Sequence, residues 1–272
     1  MKEGKHALRW MALLIAIPVG FAGAMVTLAF RHTLDFFNRL LFGRSDDITL
    51  AMHAWPWYCW PLIVGGGGLI AGIFLQYSVR LEKKQRINTD YLDVINARLD
   101  AVPTRTSLFR ALSSIASISS GASIGKEGPM VQLAALCGSI IGRFLPAATL
   151  LKNSDVVAMA AAAGLASVYH APLASAIFVA EVAFGISALQ RLIPLVISAA
   201  VSVMTLWWLG DRSALYPLAE VQFDVSIASV VTVAAIGCIG GLAGAGFITL
   251  TAYSKKQFSR ITRLPYRLAS GG

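Results

Sequence analysis

Long runs free of Asp, Glu, Lys and Arg alternate with short charged stretches along this chain. The runs cover residues 11–30, 55–79, 156–180, 192–210 and 225–254. A helix that crosses a bilayer needs about 20 consecutive apolar residues, and several of these runs reach that length. The pattern predicts an all-α, polytopic membrane protein. After the first run, residues 33–42 ("TLDFFNRLLF") read as an amphipathic continuation near the interface. Residues 88–100 ("NTDYLDVINARLD") read as a short, partly polar helix with Asn88 or Thr89 as its cap.

The middle of the chain breaks the pattern. Residues 111–125 and 128–142 are each 15 uncharged residues, too short to span comfortably, with Lys126 and Glu127 between them. A second break at Tyr169–Pro172 ("YHAP") divides run 156–180 into two pieces. Short hydrophobic segments interrupted by Gly or Pro are the best sequence pointer to a binding site in a transporter. Glycines crowd other runs, at Gly65 to Gly68 with Gly72, and at Gly237, Gly240, Gly241 and Gly244. Their spacing suits close helix packing in lipid, and no chemistry is assigned to them.

Composition agrees with a membrane protein. Of 272 residues, 56% are hydrophobic and 14% charged, against roughly 25% charged in soluble domains. Mean hydropathy is +0.67. The net charge of +9 would suit nucleic acid, but its distribution does not. Basic residues cluster at 2–9, 80–86 ("RLEKKQR") and 255–267, each bordering a hydrophobic run, whereas "RSDD" lies between the first two runs. Cytoplasmic loops collect Lys and Arg, so the charge reads as topology, with the N-terminus cytoplasmic and no nucleic-acid partner. Ala22 and Ala24 resemble a signal cleavage site, but a 20-residue apolar run exceeds the usual 7–15, so the segment is expected to stay. Cys59, Cys137 and Cys238 sit in apolar runs without metal-ligand spacing and read as packing residues. No metal and no cofactor is expected.

The stretch "GKEGP", Gly125-Lys126-Glu127-Gly128-Pro129, has its own local logic. Pro129 suits the first turn of a helix, so a helix running from there toward Gly142 would begin inside the membrane. Its free N–H groups and dipole make an anion site at that depth. Gly125 and Gly128 let a small ligand approach the backbone. The Glu127 carboxylate is itself an anion and competes for the same place. Docked, it closes the path; protonated or swung out, it opens it, so opening depends on pH. The alternative is a charged pair at the interface, with Glu127 merely capping a helix. An intramembrane charge costs about 2.5–3.5 kcal/mol on insertion scales, which favours a functional role. A phosphate loop is rejected, because Ser120 stands in the place of the first glycine and Glu127 follows the lysine. His170 reads as an intramembrane helix contact, and Glu181 stands open between a pathway contact and a structural acid. A membrane hydrolase using Glu127 and His170 would need a nucleophile or metal set that the chain does not display.

"GKEGP" followed by "AAAAGLASVYHAPLASAIFVAEV" resembles the ClC family of chloride channels and proton/chloride antiporters, most like its bacterial ClcB branch. The resemblance runs over essentially the whole chain. It implies a voltage-gated-type chloride channel protein of the bacterial inner membrane, a homodimer, with chloride as the transported ion. It makes Glu127 the gating glutamate and places Gly125, Lys126, Gly128 and Pro129 around chloride. Three departures follow. The family's chloride-contacting serine aligns with Thr89, next to an unfavourable Asp90. The family's proton-transfer glutamate, after the first of an "EE" pair, falls on Val182 beside Glu181. Valine carries no proton, so passive conduction is expected rather than exchange; a proton/chloride antiporter is the alternative. Finally, the family has two inverted halves. Residues 1–210 correspond to the first, and 225–254 to the opening helix of the second. The pore is therefore expected to be incomplete in this chain, and a non-conducting half that needs a second chain is a further alternative.

Overall fold

The structure, a computed structural model, describes residues 2–43, 56–85, 90–96, 100–122, 124–145, 151–185, 191–211 and 226–259. The chain divides into two compact units, residues 1–215 and 216–272. Among the described residues all regular structure is helical.

Among its described residues the first unit holds eight α-helices. They are α1 (Lys2–Phe42), α2 (Trp60–Gln85), α3 (Tyr91–Ile95), α4 (Thr104–Ser119), α5 (Glu127–Phe144), α6 (Asn153–Tyr169), α7 (Pro172–Phe184) and α8 (Leu192–Trp208). A single 3-10 turn, Trp57–Cys59, precedes α2. The second unit is described over one helix, α9 (Ile227–Ser259), apolar along most of its 33 residues. Among the described residues three helices are long and apolar enough to cross a membrane, over Trp10–Phe42, Trp60–Lys84 and Ile227–Gln257. The protein is a multi-pass membrane protein, and two shorter apolar helices, Pro172–Phe184 and Leu192–Trp208, are described as well.

One boundary follows the sequence expectation and one differs. The segment 33–42 continues the first span; α1 runs unbroken for 41 residues with Pro18 inside it. Its polar side chains emerge beyond the apolar stretch, and no helix stop stands between Phe30 and Thr33. The short polar helix covers only Tyr91–Ile95, and its cap is Asp90, whose carboxylate accepts the Leu92 N–H at 2.9 Å. Asn88 and Thr89 lie outside the described residues.

Over residues 12–27 of α1, what separates the two faces is side-chain size, since both are apolar. Ala12, Ala16, Val19, Ala24 and Thr27 are buried, while Leu14, Ile17, Phe21 and Met25 point outward. Without a hydrophobic drive between helices in lipid, close backbone approach decides which face packs. Helix α6 is buried almost all round, from Val156 to Gly164 without interruption, which marks it as the centre of the bundle. The main core gathers Ala16 and Val19 of α1, Ala135 of α5, Val156 to Ala162 of α6, Val179 of α7 and Leu195 and Ala199 of α8.

Contacts along each pair fix the directions. Gly164 of α6 faces Ala134 of α5, Gly138 faces Ala160, and Gly142 faces Asn153, so α5 and α6 are antiparallel. Serines bind α8 to α6 in parallel. Ser198 Oγ donates to Met159 O at 3.0 Å, and Ser202 Oγ donates to Ala163 O at 2.9 Å. Ser113 Oγ donates to Ala71 O at 2.8 Å and Ser78 Oγ donates to Thr106 O at 3.2 Å, tying α4 antiparallel to α2. One end of the bundle therefore collects the starts of α4, α6 and α8 and the ends of α2, α5 and α7. That end carries Lys83, Lys84, Arg105, Arg143, Lys152 and Arg191. Arg191 pairs there with Asp155 at 2.6 Å and lies 4.5 Å over the Phe184 ring. The start of α5 lies at the opposite end.

Of the glycine quartet in α2, Gly67 meets another helix, at Ser120, while Gly65, Gly66 and Gly68 face open space. Other close approaches in the bundle fall on Gly20, Gly138, Gly142 and Gly164.

Candidate functional site

Helix α5 starts two residues earlier than the proline alone suggests. Lys126 already has helical dihedrals (φ −77°, ψ −13°), so Glu127 is the first helical residue and Pro129 the third. Pro129 still lies in the opening turn, where no N–H is needed. Met130 N–H reaches back to Lys126 O at 3.4 Å. Glu127 and Gly128 thus supply the leading N–H groups that have no acceptor within the helix. No side chain caps this end.

The Glu127 side chain curls back over the turn before it. A Cβ placed on Gly125 would lie 2.5 Å from Glu127 Oε2. The missing side chain at Gly125 therefore makes the space that the carboxylate occupies. Gly128 has nothing within 4 Å of its Cβ position. Gly125, Lys126, Glu127, Gly128 and Pro129 form one continuous turn, with Gly125 and Gly128 exposed and Glu127 half-buried. A carboxylate folded toward the positive end of its own helix is electrostatically favourable. A free anion arriving there would meet the same backbone dipoles.

Beneath this turn lies a second apolar cluster: Phe30 and Leu34 of α1, Ile115 and Ile118 of α4, Met130 of α5 and Val168 of α6. It sets the start of α5 and the end of α6 at one level of the bundle. Helix α6 ends at His170, the one non-glycine residue with positive φ among the described residues (φ +52°, ψ 28°). Pro172 then opens α7, and the residue before a proline is turned away from helical geometry. The left-handed conformation explains a polar residue here, because Asn and His tolerate it better than most side chains. His170 Nε2 is shielded from solvent and has no hydrogen-bond partner among the described residues. The ring lies within electrostatic reach of Asp211 and Arg31, which are paired with each other.

The other sequence candidates lie elsewhere. Glu181 is the tenth residue of α7 and exposed, roughly 14 Å along the helix from Pro172 at 1.5 Å per residue. Val182 beside it is 47% exposed. Thr89 lies outside the described residues. Among the described residues, no three His, Cys, Asp or Glu side chains gather as a metal site would need.

Two residues near the turn escape sequence reading. Gly164 lets α6 approach α5 one turn after its start: a Cβ there would lie 2.6 Å from Ala134 Cβ and 3.6 Å from Met130 O. Gln132, on α5, accepts the Tyr91 N–H at 3.3 Å and donates to Ser107 Oγ at 3.1 Å. A glutamine inside an apolar run was a signal in plain view, since polar groups at membrane depth need partners.

Comparison with known proteins follows the same line. Residues 67–272 match the sequence profile described as "Voltage gated chloride channel". A ClcB-like chloride channel protein of Ralstonia nicotianae is 39% identical over 265 residues, covering 96% of this chain and 61% of that protein. ClcB of Yersinia pestis, described as a voltage-gated ClC-type chloride channel, is 34% identical over 259 residues, covering 93% of this chain and 61% of that protein. The chain thus spans about three fifths of the length of these relatives. A crystal structure of a CLC-type fluoride/proton antiporter superposes with a TM-score of 0.73 at 21% identity, covering 94% of this chain and 61% of that one. That likeness concerns the fold. The profile match over most of the chain, the ClcB relatives and the shared helical fold agree: this chain belongs to the voltage-gated chloride channel (ClC) family, a family of channels and transporters.

Proposed function

We propose that this chain lines a passive chloride path across a bacterial inner membrane and that Glu127 gates it. The observation that carries this reading is the Glu127 carboxylate folded over Gly125 at an uncapped helix start. An anion of the chain's own occupies the place a small anion would take, so the two exclude each other. Gly125, Lys126, Gly128 and Pro129 shape that place; the backbone donors come from Glu127 and Gly128. Orientation follows from charge. The basic end of the bundle faces the cytoplasm together with the N-terminus, and the Glu127 turn then faces outward. Two copies associate in the membrane, as the family resemblance implies.

Conduction is passive because Val182 cannot relay a proton. The fluoride/proton antiporter among the fold relatives motivates the competing reading, coupled exchange. Chloride efflux from liposomes holding this chain, alongside Glu127→Gln, tests both. Efflux about tenfold faster in the variant, with no accompanying proton flux, is the expected result. Equal efflux from the two proteins sinks the gate, and stoichiometric proton movement sinks passive conduction. Absence of efflux from both, with protein confirmed in the bilayer, sinks the claim that this chain forms the path by itself.

A further inference from the structure

Gln132 is the polar side chain that joins three helices just below the Glu127 turn. It lies on the same face of α5 as Gly128, four residues on, which is one helical turn. Its amide oxygen takes the N–H of Tyr91, the first residue of α3, and its amide nitrogen donates to Ser107 of α4, which is fully buried. Helix α3 has five residues. A helix that short does not hold itself together and takes its position from what it touches. Its ties are the buried Val94 and Ile95, the Asp90 cap and this amide. The two leading donors of α3 are thus both taken from within the chain, Leu92 N–H by Asp90 and Tyr91 N–H by Gln132.

We infer that Gln132 is a positioning residue for the anion path. The amide anchors the first half of α5 to the buried Ser107 of α4 and seats α3 beside it, and so fixes the start of α5, whose own leading donors stay available to an anion. The inference rests on the anion-path reading above. Gln132 itself touches no anion in this account; it acts through the place of α5.

The test is amide hydrogen exchange on the whole chain in lipid nanodiscs, titrated with chloride against gluconate. The variants are Gln132→Met, which keeps length and helix propensity but removes both hydrogen bonds, and Ser107→Ala, which keeps the Tyr91 tie. Chloride is expected to slow exchange over residues 126–130 in the parent chain. In Gln132→Met, the half-saturating chloride concentration for that protection rises at least fivefold, and exchange at residues 91–95 accelerates. Protection of α6 stays as in the parent, and Ser107→Ala, which loses the α4 tie alone, raises the half-saturation by a smaller factor than Gln132→Met. An unchanged half-saturation in Gln132→Met overturns the inference and leaves the anion reading standing. Loss of α6 protection in that variant marks Gln132 as a packing residue and also overturns it. If chloride slows nothing in the parent chain, the anion reading fails and the inference falls with it.

Discussion

Two helices begin within the bundle, and they begin in opposite ways. Helix α3 is short and closed: Asp90 takes one leading N–H and Gln132 another. Helix α5 is 18 residues long and uncapped, with its first side chain curled back over a glycine. Both starts carry a carboxylate, so charge alone does not distinguish them. The difference is whether the carboxylate is bound to the donors in the ordinary capping manner or rests beside them without such a bond. A closed start holds structure together, and an open start can exchange one anion for another.

The strongest way to break this contrast is to move α5. Gly164→Val puts a branched side chain where even a Cβ would lie 2.6 Å from Ala134 Cβ. Overpacking of this kind costs about 1–3 kcal/mol, read as earlier unfolding of the detergent-solubilised protein in denaturant. Stability equal to the parent would mean that the two helices are not held as closely as described. Next in size, Gly125→Ala sharpens the contrast without touching Glu127. The new methyl takes the space of Glu127 Oε2, the end of a flexible side chain, so the carboxylate is evicted while the backbone stays. Chloride efflux should rise on the order of tenfold, equivalent to about 1.4 kcal/mol, in the same direction as Glu127→Gln. A fall would show that the folded-back carboxylate is not what closes the path.

At the closed start, Asp90→Ala removes a cap worth about 1 kcal/mol. Faster exchange confined to residues 91–95 is expected, with the response of efflux to Glu127→Gln preserved. Loss of that response would mean that the two starts are not independent. The smallest effect belongs to the serine ties. Ser198→Ala deletes one hydrogen bond to Met159 O, and such bonds between membrane helices average about 0.6 kcal/mol. A loss above about 2 kcal/mol in the same denaturant assay would mark that serine as more than one bond's worth of packing, exceeding the largest such bond measured, about 1.7 kcal/mol.

The open start was legible in the chain itself. Gly125, Gly128 and Pro129 act through local backbone geometry, and local geometry is written in consecutive residues. The break at His170 was legible for the same reason, through Pro172. Gly164 was not, because its role depends on Ala134 lying opposite, and no short stretch of sequence names its partner across a bundle. Gln132 failed for a related reason: its two partners stand 41 and 25 positions away. The glycine quartet in α2 was legible in part: Gly67 does meet a neighbouring helix, but crowding by itself does not say which of the four will. The cap of α3 is Asp90 rather than Asn88 or Thr89, because the helix begins only at Tyr91.

The helices fall into two length classes, and this bears on how the protein is made. Helices α1, α2 and α9 are long and apolar enough to partition into a bilayer one at a time. Helices α4 and α7, with 16 and 13 residues, extend about 24 and 20 Å at 1.5 Å per residue, short of the ~30 Å hydrocarbon core. They cannot be threaded in singly and must enter alongside partners that are already there. Integration of the central segment is therefore cooperative. A substitution that loosens α1 from α6 should first show as failed membrane insertion of the segments that follow.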